Sequence, residues 1–270
     1  MPHTDTGIFY AAEGSGPPVL LIQGAGVIGE GWRPQIDALR ERYRLAILDN
    51  RGFGRSAALK GRLTIERMAD DVLGVMDALG WERAHVAGHS MGGLIAQQLA
   101  LQAPERVRSL ALMCTFVRGA DASRPVLWKA WIGLRCRVGT LRMRRHAFLE
   151  MVMPPAWLDT QDRDALAAEL APLFGYDLAR QPGFVLKQVG AMRAHDASGR
   201  LSALSGVPTL VLTGALDRVA PAEQGRALAA AIPGARYVEL PDTAHGAPIQ
   251  RALQVNAVFA EHLDRVESEA

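Results

Sequence analysis

The sequence predicts an α/β fold, with a mostly parallel central sheet, helices on both of its faces and one helical insertion. Short apolar runs alternate with helix-periodic stretches over residues 19–114 and again over 207–266, a pattern typical of parallel strands joined by crossover helices. Residues 116–204 interrupt this alternation, because their apolar spacing is helical and includes no convincing buried strand. A chain of 270 residues can hold one domain with an insertion. We therefore expect a core domain of residues 1–115 and 206–270, with residues 116–205 inserted into it.

The first half of the chain supplies most of the predicted sheet. Strands are expected at short apolar or β-type runs bounded by turn residues, namely 6–12, 19–22, 45–48, 84–87 and 107–114. Helices are expected at 32–42, 64–79 and 94–101. Thr64 is the predicted N-cap of the second helix and Gly80 its end, whereas Pro104 ends the third. The alternation predicts a parallel sheet.

The insertion is predicted to be helical and basic. Its basic residues between 118 and 150 are Arg118, Arg124, Lys129, Arg135, Arg137, Arg142, Arg144 and Arg145, opposed only by Asp121 and Glu150. A solvated helix face is the simpler interpretation; attraction of an acidic substrate or an anionic surface is the alternative. Trp128, Trp131 and Trp157 are candidate substrate-pocket residues, although packing in a core explains them equally well.

After the insertion the alternation resumes. Strands are predicted at 207–213 and 237–240, with a helix whose first turn contains Pro221 and a closing helix over about 249–266. The loops that follow these two strands contain Asp217 and His245, and Ser90 follows an earlier strand. In a parallel sheet, ligands bind at the carboxyl ends of the strands. We therefore expect these three side chains to lie at one end of the sheet.

Ser90 is the candidate nucleophile. It lies in Gly88-His89-Ser90-Met91-Gly92, which fits G-x-S-x-G between a predicted strand and a predicted helix. A serine on so tight a turn takes strained backbone geometry, and the small glycines let strand and helix approach each other closely. The pentapeptide alone occurs by chance, but this strand-turn-helix context favours a nucleophile lifted clear of the sheet near a helix N-terminus.

A serine hydroxyl needs a base to become a good nucleophile at neutral pH. His245 is predicted to act first as base and then as acid, and Asp217 to orient its ring. Asp242 and Asp121 are rival orienting residues, but Asp242 precedes His245 by only three positions and would have to fold back on the ring. Activity should fall as the pH drops through the range in which histidine titrates, because a protonated imidazole cannot accept the proton.

Two further histidines are predicted to be structural or solvated. His89 adjoins Ser90 on a tight turn, so its ring is expected to point elsewhere, and His195 lies in the insertion. Asp49 and Arg51, in the loop after the third strand, are predicted to hold that loop together by hydrogen bonds.

The loop Gln23-Gly24-Ala25-Gly26 follows a buried strand and is the candidate oxyanion loop. It lacks the spacing of G-x-G-x-x-G and the Lys-Ser/Thr of a P-loop, so nucleotide binding is not favoured. The backbone N–H groups of Ala25 and Met91 are predicted to form the oxyanion hole. A plain tight turn is the alternative interpretation.

Composition excludes several functional classes. A net charge of +2 is too small to indicate nucleic-acid binding. Cys114 and Cys136 show neither a pairing pattern nor metal-ligand spacing, so we expect buried free thiols, no metal and no cofactor. The sequence shows no signal-peptide pattern and no apolar run long enough to span a bilayer. A cytoplasmic protein without membrane insertion is the expectation, and monomer and homodimer both stay open.

The order Ser90, Asp217, His245, with the motifs around these residues, resembles the α/β-hydrolase superfamily over nearly the whole chain. The resemblance implies a serine hydrolase in which residues 116–205 form a helical cap. Asp-Asn-Arg-Gly-Phe-Gly-Arg-Ser at 49–56 and the compact cap look most like small esterases and 3-oxoadipate enol-lactonases. The chain departs from its relatives at Gln23, since they commonly carry His-Gly where this sequence reads Gln-Gly.

The resemblance implies cleavage of a small-molecule carboxylic ester or lactone through an acyl-serine. Three alternatives stay open: C–C bond hydrolysis or perhydrolysis on the same triad, a non-catalytic small-molecule binder, and a structural protein, since one fold hosts many chemistries. Epoxide and haloalkane hydrolysis are disfavoured, because those reactions use a carboxylate where this chain has Ser90.

Overall fold

The structure is a computed structural model that describes residues 2–58, 61–122 and 127–269. Its strands are β1 (Tyr10–Glu13), β2 (Pro18–Ile22), β3 (Arg44–Leu48), β4 (Ala84–His89), β5 (Val107–Met113), β6 (Thr209–Gly214) and β7 (Arg236–Leu240). They form one seven-stranded sheet in the order β1-β3-β2-β4-β5-β6-β7. Strand β1 pairs antiparallel with β3, and the other neighbours pair in parallel. The predicted fold class is therefore confirmed.

Helices connect the strands on both sides of the sheet. In the core they are α1 (Arg33–Leu39), α2 (Ile65–Ala78), α3 (Met91–Gln102), α10 (Ala222–Ala231), α11 (Ala247–Gln250) and α12 (Ala252–Ser268). Between β5 and β6 lie α4 (Gly119–Ala122), α5 (Leu127–Arg135), α6 (Leu141–Val152), α7 (Pro155–Leu158), α8 (Arg163–Phe174) and α9 (Val185–Ala194). Short 3₁₀ turns lie at Gly29–Trp32, Pro104–Arg106 and Leu201–Leu204.

Two apolar layers cover the two faces of the sheet. Because side chains alternate along a strand, Leu20 and Ile22 of β2 join the layer of α2 and α3, whereas Val19 and Leu21 join the opposite layer. Trp32 packs in that second layer with residues of α1 and α12. Burial on both faces explains why these strands read as continuous apolar runs.

Several predicted boundaries differ from the observed ones. The opening strand predicted at 6–12 begins only at Tyr10, after an isolated bridge between His3 and Phe9. Pro221 occupies the N-cap position of α10 rather than its first turn. The closing helix is divided into α11 and α12 at Arg251, whose φ of −125° and ψ of 42° are not helical. None of these shifts moves a candidate site residue out of its loop.

The helical segment, defined as residues 119–204, has its own apolar cluster, which includes Phe148, Leu149, Leu170 and Phe174. Its described residues form helices and no strand longer than an isolated bridge. The division into a core domain and a cap at residues 116–205 stays a prediction.

Four of the seven described basic side chains between residues 118 and 150 have acidic partners. Ion pairs join Arg118 to Asp121, Arg135 to Glu150, Arg142 to Asp164 and Arg145 to Asp177. Arg124 lies outside the described residues. This pairing favours the simpler interpretation, a solvated helix surface, for these four paired residues.

Cys114 and Cys136 are both free and buried. Within the described ranges, no helix combines the length and the apolar character needed to cross a bilayer.

Three buried histidines should make the fold sensitive to acid. Burial is the main cause that lowers the pKa of His85, lowers that of His262 to about 4 and lowers that of His89 to about 3. The ordinary histidine pKa is about 6.5, so between that value and the lowered ones the unfolded chain binds more protons than the folded protein. Their contribution to stability is thus complete above about pH 6.5 and is lost as the pH falls towards 4.

We expect the free energy of unfolding to drop between pH 6.5 and 4 by up to about 1.4 kcal/mol per pH unit for each of His89 and His262. Urea unfolding at a series of pH values measures this slope. His262→Leu should give a shallower slope, whereas replacement of the exposed His3 by Gln should leave it unchanged. Equal slopes in wild type and His262→Leu would contradict the assignment to His262.

Candidate active site

Ser90 lies on a strained turn between β4 and α3. Its φ of 55° and ψ of −117° place a non-glycine residue at positive φ. A Cβ at Gly88 would overlap the carbonyl group of Gly92, and a Cβ at Gly92 would overlap that of Ile22. The Thr115 hydroxyl, two residues after the end of β5, donates a hydrogen bond of 2.7 Å to the Ser90 carbonyl and so fixes the turn. Only glycines therefore permit the close approach of strand and helix that this turn requires.

A chain of hydrogen bonds joins Ser90, His245 and Asp217. The Ser90 Oγ lies 3.0 Å from Nε2 of His245, and Nδ1 of His245 lies 2.8 Å from Oδ2 of Asp217. The other carboxylate oxygen of Asp217 accepts backbone N–H groups of Val219 and Ala220, each at 2.8 Å. Asp217 is fully buried, so these two bonds hold its carboxylate in one orientation. The arrangement can transfer the Ser90 proton to the imidazole.

The loop of His245 is fixed from three sides. The N–H of Gly246 donates to the carbonyl of Val152 in α6 at 2.7 Å. The Gln250 side chain accepts from the N–H of Ala244 and donates to the carbonyl of Asp242. These bonds hold the imidazole above Ser90.

His89 supplies the third support. Its Nε2 lies 2.9 Å from the carbonyl oxygen of His245, so this nitrogen must carry the proton. Burial, and then the charge of His245, lowers the pKa of His89 to about 3, which keeps its ring neutral. The two ring centroids are 4.9 Å apart. No sequence pattern predicted that His89 supports the loop of His245. The only local sequence feature that could have indicated it is the position of His89 directly before Ser90.

The rival acids lie elsewhere. Asp242 is exposed and has a φ of 50°, and Asp121 pairs with Arg118 at 3.3 Å. His195 is buried directly after α9, and its Nδ1 lies 3.0 Å from a carboxylate oxygen of Glu66 in α2. In the loop after β3, Asp49 accepts hydrogen bonds from the N–H groups of Gly29 and Arg55 at 2.8 Å, and Arg51 pairs with Asp71. The structure thus brings Asp217, and not Asp242 or Asp121, to Nδ1 of His245.

Sequence reasoning missed two neighbours of Asp217. Cys114 is buried against its carboxylate, and burial followed by the negative charge of Asp217 raises the pKa of the thiol, so it stays protonated. The Lys129 ammonium donates to the carbonyl of Val219 at 3.1 Å and holds the loop that contains Asp217. Both contacts join distant parts of the chain, and no local pattern indicates them.

The loop after β2 leaves one backbone N–H free beside Ser90. Gly24 donates to Oε1 of Gln23 at 3.1 Å, and Gly26 donates to Oε1 of Gln188 at 2.8 Å. Across the part of the chain that the structure describes, no hydrogen bond is formed by the Ala25 N–H between them. Met91 is the first residue of α3, so its N–H has no partner within the helix. These two N–H groups are available to a ligand anion.

A mostly apolar cavity of about 280 Å³ lies above Ser90 and His245. Its apolar lining comes from the end of the sheet and from the helical segment, and includes Phe116, Phe148, Met151, Val152, Met153, Phe174, Val185, Val189, Met192 and Ile249. The Tyr176 hydroxyl also borders it, close to Gly26. Burial raises the pKa of this hydroxyl, and it forms no hydrogen bond with another described residue, so it is free to donate one to a ligand.

The tryptophan prediction needs correction, because Trp128, Trp131 and Trp157 do not line this cavity. Trp131 is 60% exposed. Trp128 lies under the guanidinium of Arg218, 4.1 Å from the ring centroid. Trp157 packs against the apolar cluster of the helical segment. Helical spacing shows that residues share a face, but only the packing of α5 decides which face turns inwards.

Comparison with known proteins identifies relatives of this chain in sequence and in fold. A family model described as the alpha/beta hydrolase fold matches residues 17–134. A protein called carbamate hydrolase RutD from Azorhizobium caulinodans is 35% identical over 245 residues, which cover 89% of each chain. The enol-lactonase from Burkholderia xenovorans has a TM-score of 0.79 at 30% identity, covering 95% of this chain and 96% of its own. A thermophilic esterase from Thermogutta terrifontis has a TM-score of 0.79 at 28% identity, covering 96% and 93%.

Proposed function

Because the chain belongs to the α/β-hydrolase family, we propose that it hydrolyses a carboxylic ester or lactone of a small molecule through an acyl-serine intermediate. The observation that carries this proposal is the continuous hydrogen-bond chain from Ser90 through His245 to Asp217, at the floor of an apolar cavity. Oγ of Ser90 already lies within hydrogen-bond distance of Nε2 of His245, so a proton can pass between them without movement of either side chain.

In the first step, Nε2 of His245 takes the proton of Ser90, and Oγ attacks the carbonyl carbon of the substrate. The carbonyl oxygen becomes an oxyanion that accepts hydrogen bonds from the N–H groups of Ala25 and Met91. Collapse of this intermediate breaks the bond to the leaving alcohol, which receives the proton from His245. The acyl group is then attached to Ser90; in a lactone, the alcohol remains part of it.

In the second step, His245 takes a proton from water, and the resulting hydroxide attacks the acyl-serine. Collapse releases the carboxylic acid and returns the proton to Ser90. Asp217 keeps the Nδ1–H tautomer of His245 and stabilises the imidazolium that forms in both steps. The N–H groups of Val219 and Ala220 hold that carboxylate in place.

The size and lining of the cavity favour an apolar substrate. A cavity of 150 Å³ binds benzene, so one of about 280 Å³ has room for roughly ten to twelve non-hydrogen atoms. The polar groups at its floor belong to the proposed chemistry, and Tyr176 offers one further donor near Gly26.

Carbamate hydrolysis is the second candidate, because the relative at 35% identity is called a carbamate hydrolase. The same serine chemistry would expel the alcohol and form a carbamoyl-serine. Its hydrolysis would release a carbamic acid, which breaks down to an amine and carbon dioxide. A substrate of that kind would need an apolar substituent to fill the cavity described above.

Hydrolysis of a matched panel tests the proposal. We expect turnover of p-nitrophenyl hexanoate and of a medium-chain lactone, with lower kcat/KM for the p-nitrophenyl carbamate of the same length and none for a 1,3-diketone. Faster carbamate turnover would make carbamates the substrate class, and diketone cleavage would favour the C–C hydrolase alternative. Failure to react with all four, and with a fluorophosphonate, would indicate a non-catalytic binder.

A further inference from the structure

Helix α5 exposes an apolar stripe to solvent. Leu127 is 91% exposed and Trp131 is 60% exposed, and Leu134 is exposed as well. Because these residues are spaced at i, i+4 and i+7, they lie on one side of the helix. Val138, exposed one turn beyond the end of α5, continues the line, since its N–H still bonds to the carbonyl of Leu134.

The start of α6 extends this surface. The residues we call the α5 face are Leu127, Trp131, Leu134, Val138, Leu141 and Met143, and all are exposed. They are six of the nine large exposed hydrophobic residues in the described chain. Scattered exposed hydrophobic residues are ordinary, but a concentration of them marks an interaction surface.

The α5 face is also positively charged. Residues 127–145 contain Lys129, Arg135, Arg137, Arg142, Arg144 and Arg145, and no aspartate or glutamate. Some of these cations pair with carboxylates from other parts of the segment, as described above. Within the described ranges, however, Arg137 and Arg144 form no ion pair and donate instead to the carbonyls of Gly133 and Gly139. Their charges are therefore available to an anionic partner.

We propose that the α5 face docks onto an anionic lipid surface and lies in the plane of the interface. A tryptophan, leucines and a methionine beside arginines have the composition of an interfacial helix, whose apolar side chains enter the headgroup boundary while the cations contact lipid phosphates. A second copy of the chain is a poorer occupant, because the symmetric contact would bring two positively charged faces together.

The position of the cavity supports this choice. Gly133 of α5 and Arg137 just beyond it line the cavity above Ser90, and so does the exposed Leu186. The cavity therefore opens beside the α5 face, and an apolar molecule held in a lipid surface would have a short path to it. Docking itself does not require catalysis, so the proposal does not depend on the proposed function.

Vesicle flotation tests the proposal on the full chain. We expect binding to phosphatidylcholine vesicles that contain 30% phosphatidylglycerol, little binding to phosphatidylcholine alone, and release as salt rises. The Trp131→Ser/Leu134→Ser variant should bind at least tenfold more weakly. The matched control is Leu253→Ser, which changes a leucine of α12 that is 84% exposed and should bind like wild type.

Charge is tested separately. Arg137→Gln and Arg144→Gln should each weaken binding about fivefold, whereas Arg83→Gln, an exposed arginine that also donates to a backbone carbonyl, should not. Ser90→Ala should bind like wild type, which separates docking from catalysis. Circular dichroism of each variant excludes loss of folding.

Three results would overturn the proposal. The first is that the protein does not bind anionic vesicles, and the second is that wild type and Trp131→Ser/Leu134→Ser bind them equally well. The third is that wild type does not bind vesicles but forms a concentration-dependent dimer, which Trp131→Ser/Leu134→Ser does not form. The last result would show that the α5 face is an interface between copies of the chain.

Discussion

Replacing Ser90 with alanine is expected to lower kcat for ester hydrolysis by about 10⁵–10⁶-fold, because the hydroxyl oxygen that lies 3.0 Å from Nε2 of His245 and would form the acyl intermediate is lost. The N–H groups of Ala25 and Met91 remain, so a small acceleration over the uncatalysed reaction should persist. Ser90 is the N-cap residue of α3, yet its side chain makes no capping bond, so the helix should not be weakened by the loss of a cap.

Two measurements check this result. Initial rates with p-nitrophenyl hexanoate give the loss of kcat, and intact mass after treatment with a fluorophosphonate reports whether the serine is activated. Wild type should gain one adduct and Ser90→Ala none. Ser202→Ala, which changes an exposed serine, is the control and should behave like wild type. An adduct on Ser90→Ala, or a rate within tenfold of wild type, would remove Ser90 from the mechanism.

Asp217→Asn is expected to lower kcat by about 10⁴-fold with little change in KM. Oδ1 of Asp217 accepts the N–H groups of Val219 and Ala220, so an asparagine must place its carbonyl oxygen there. Its amide would then face Nδ1 of His245 as a donor. The imidazole would have to accept at Nδ1 and carry its proton on Nε2, the nitrogen that must take the proton of Ser90.

The matched control is Asp242→Asn, which changes an exposed aspartate in the loop of His245. It should retain wild-type kcat, because its side chain has no part in the hydrogen-bond chain described above. Rates for both variants between pH 6 and 9 and their midpoints of thermal unfolding separate loss of chemistry from loss of stability. If Asp242→Asn were the inactive variant and Asp217→Asn remained active, the orienting acid would have to be reassigned.

Local patterns in the chain predict much of the fold. The apolar runs at 19–22, 45–48 and 84–87 are strands in the structure, because burial on both faces of a parallel sheet requires continuous apolar side chains. Thr64 caps α2 by accepting the N–H of Arg67. Predictions are weaker at the start of β1 and between α11 and α12, because neither Tyr10 nor Arg251 adjoins a glycine or proline.

The sequence predicts a candidate site residue wherever a local motif is typical of a chemical role. Ser90 lies in a glycine-flanked turn whose geometry the sequence dictates, and Asp217 and His245 follow strands whose ends a parallel sheet brings to one edge. The tryptophans do not line the cavity above Ser90, because their spacing predicts a helix but not the direction in which that helix faces.

The sequence by itself determined the order of strands and helices, the tight turn at Ser90 and the loops that contain Asp217 and His245. Each of these features depends on residues that are close to one another in the sequence. Only the tertiary structure decided which acid reaches His245, that His89 supports it, and that Gln188 fixes the loop around Ala25. It also decided that α5 turns Trp131 to solvent beside the cavity. These contacts join residues far apart in the chain, and their geometry depends on how the helical segment packs on the sheet, which no local pattern encodes.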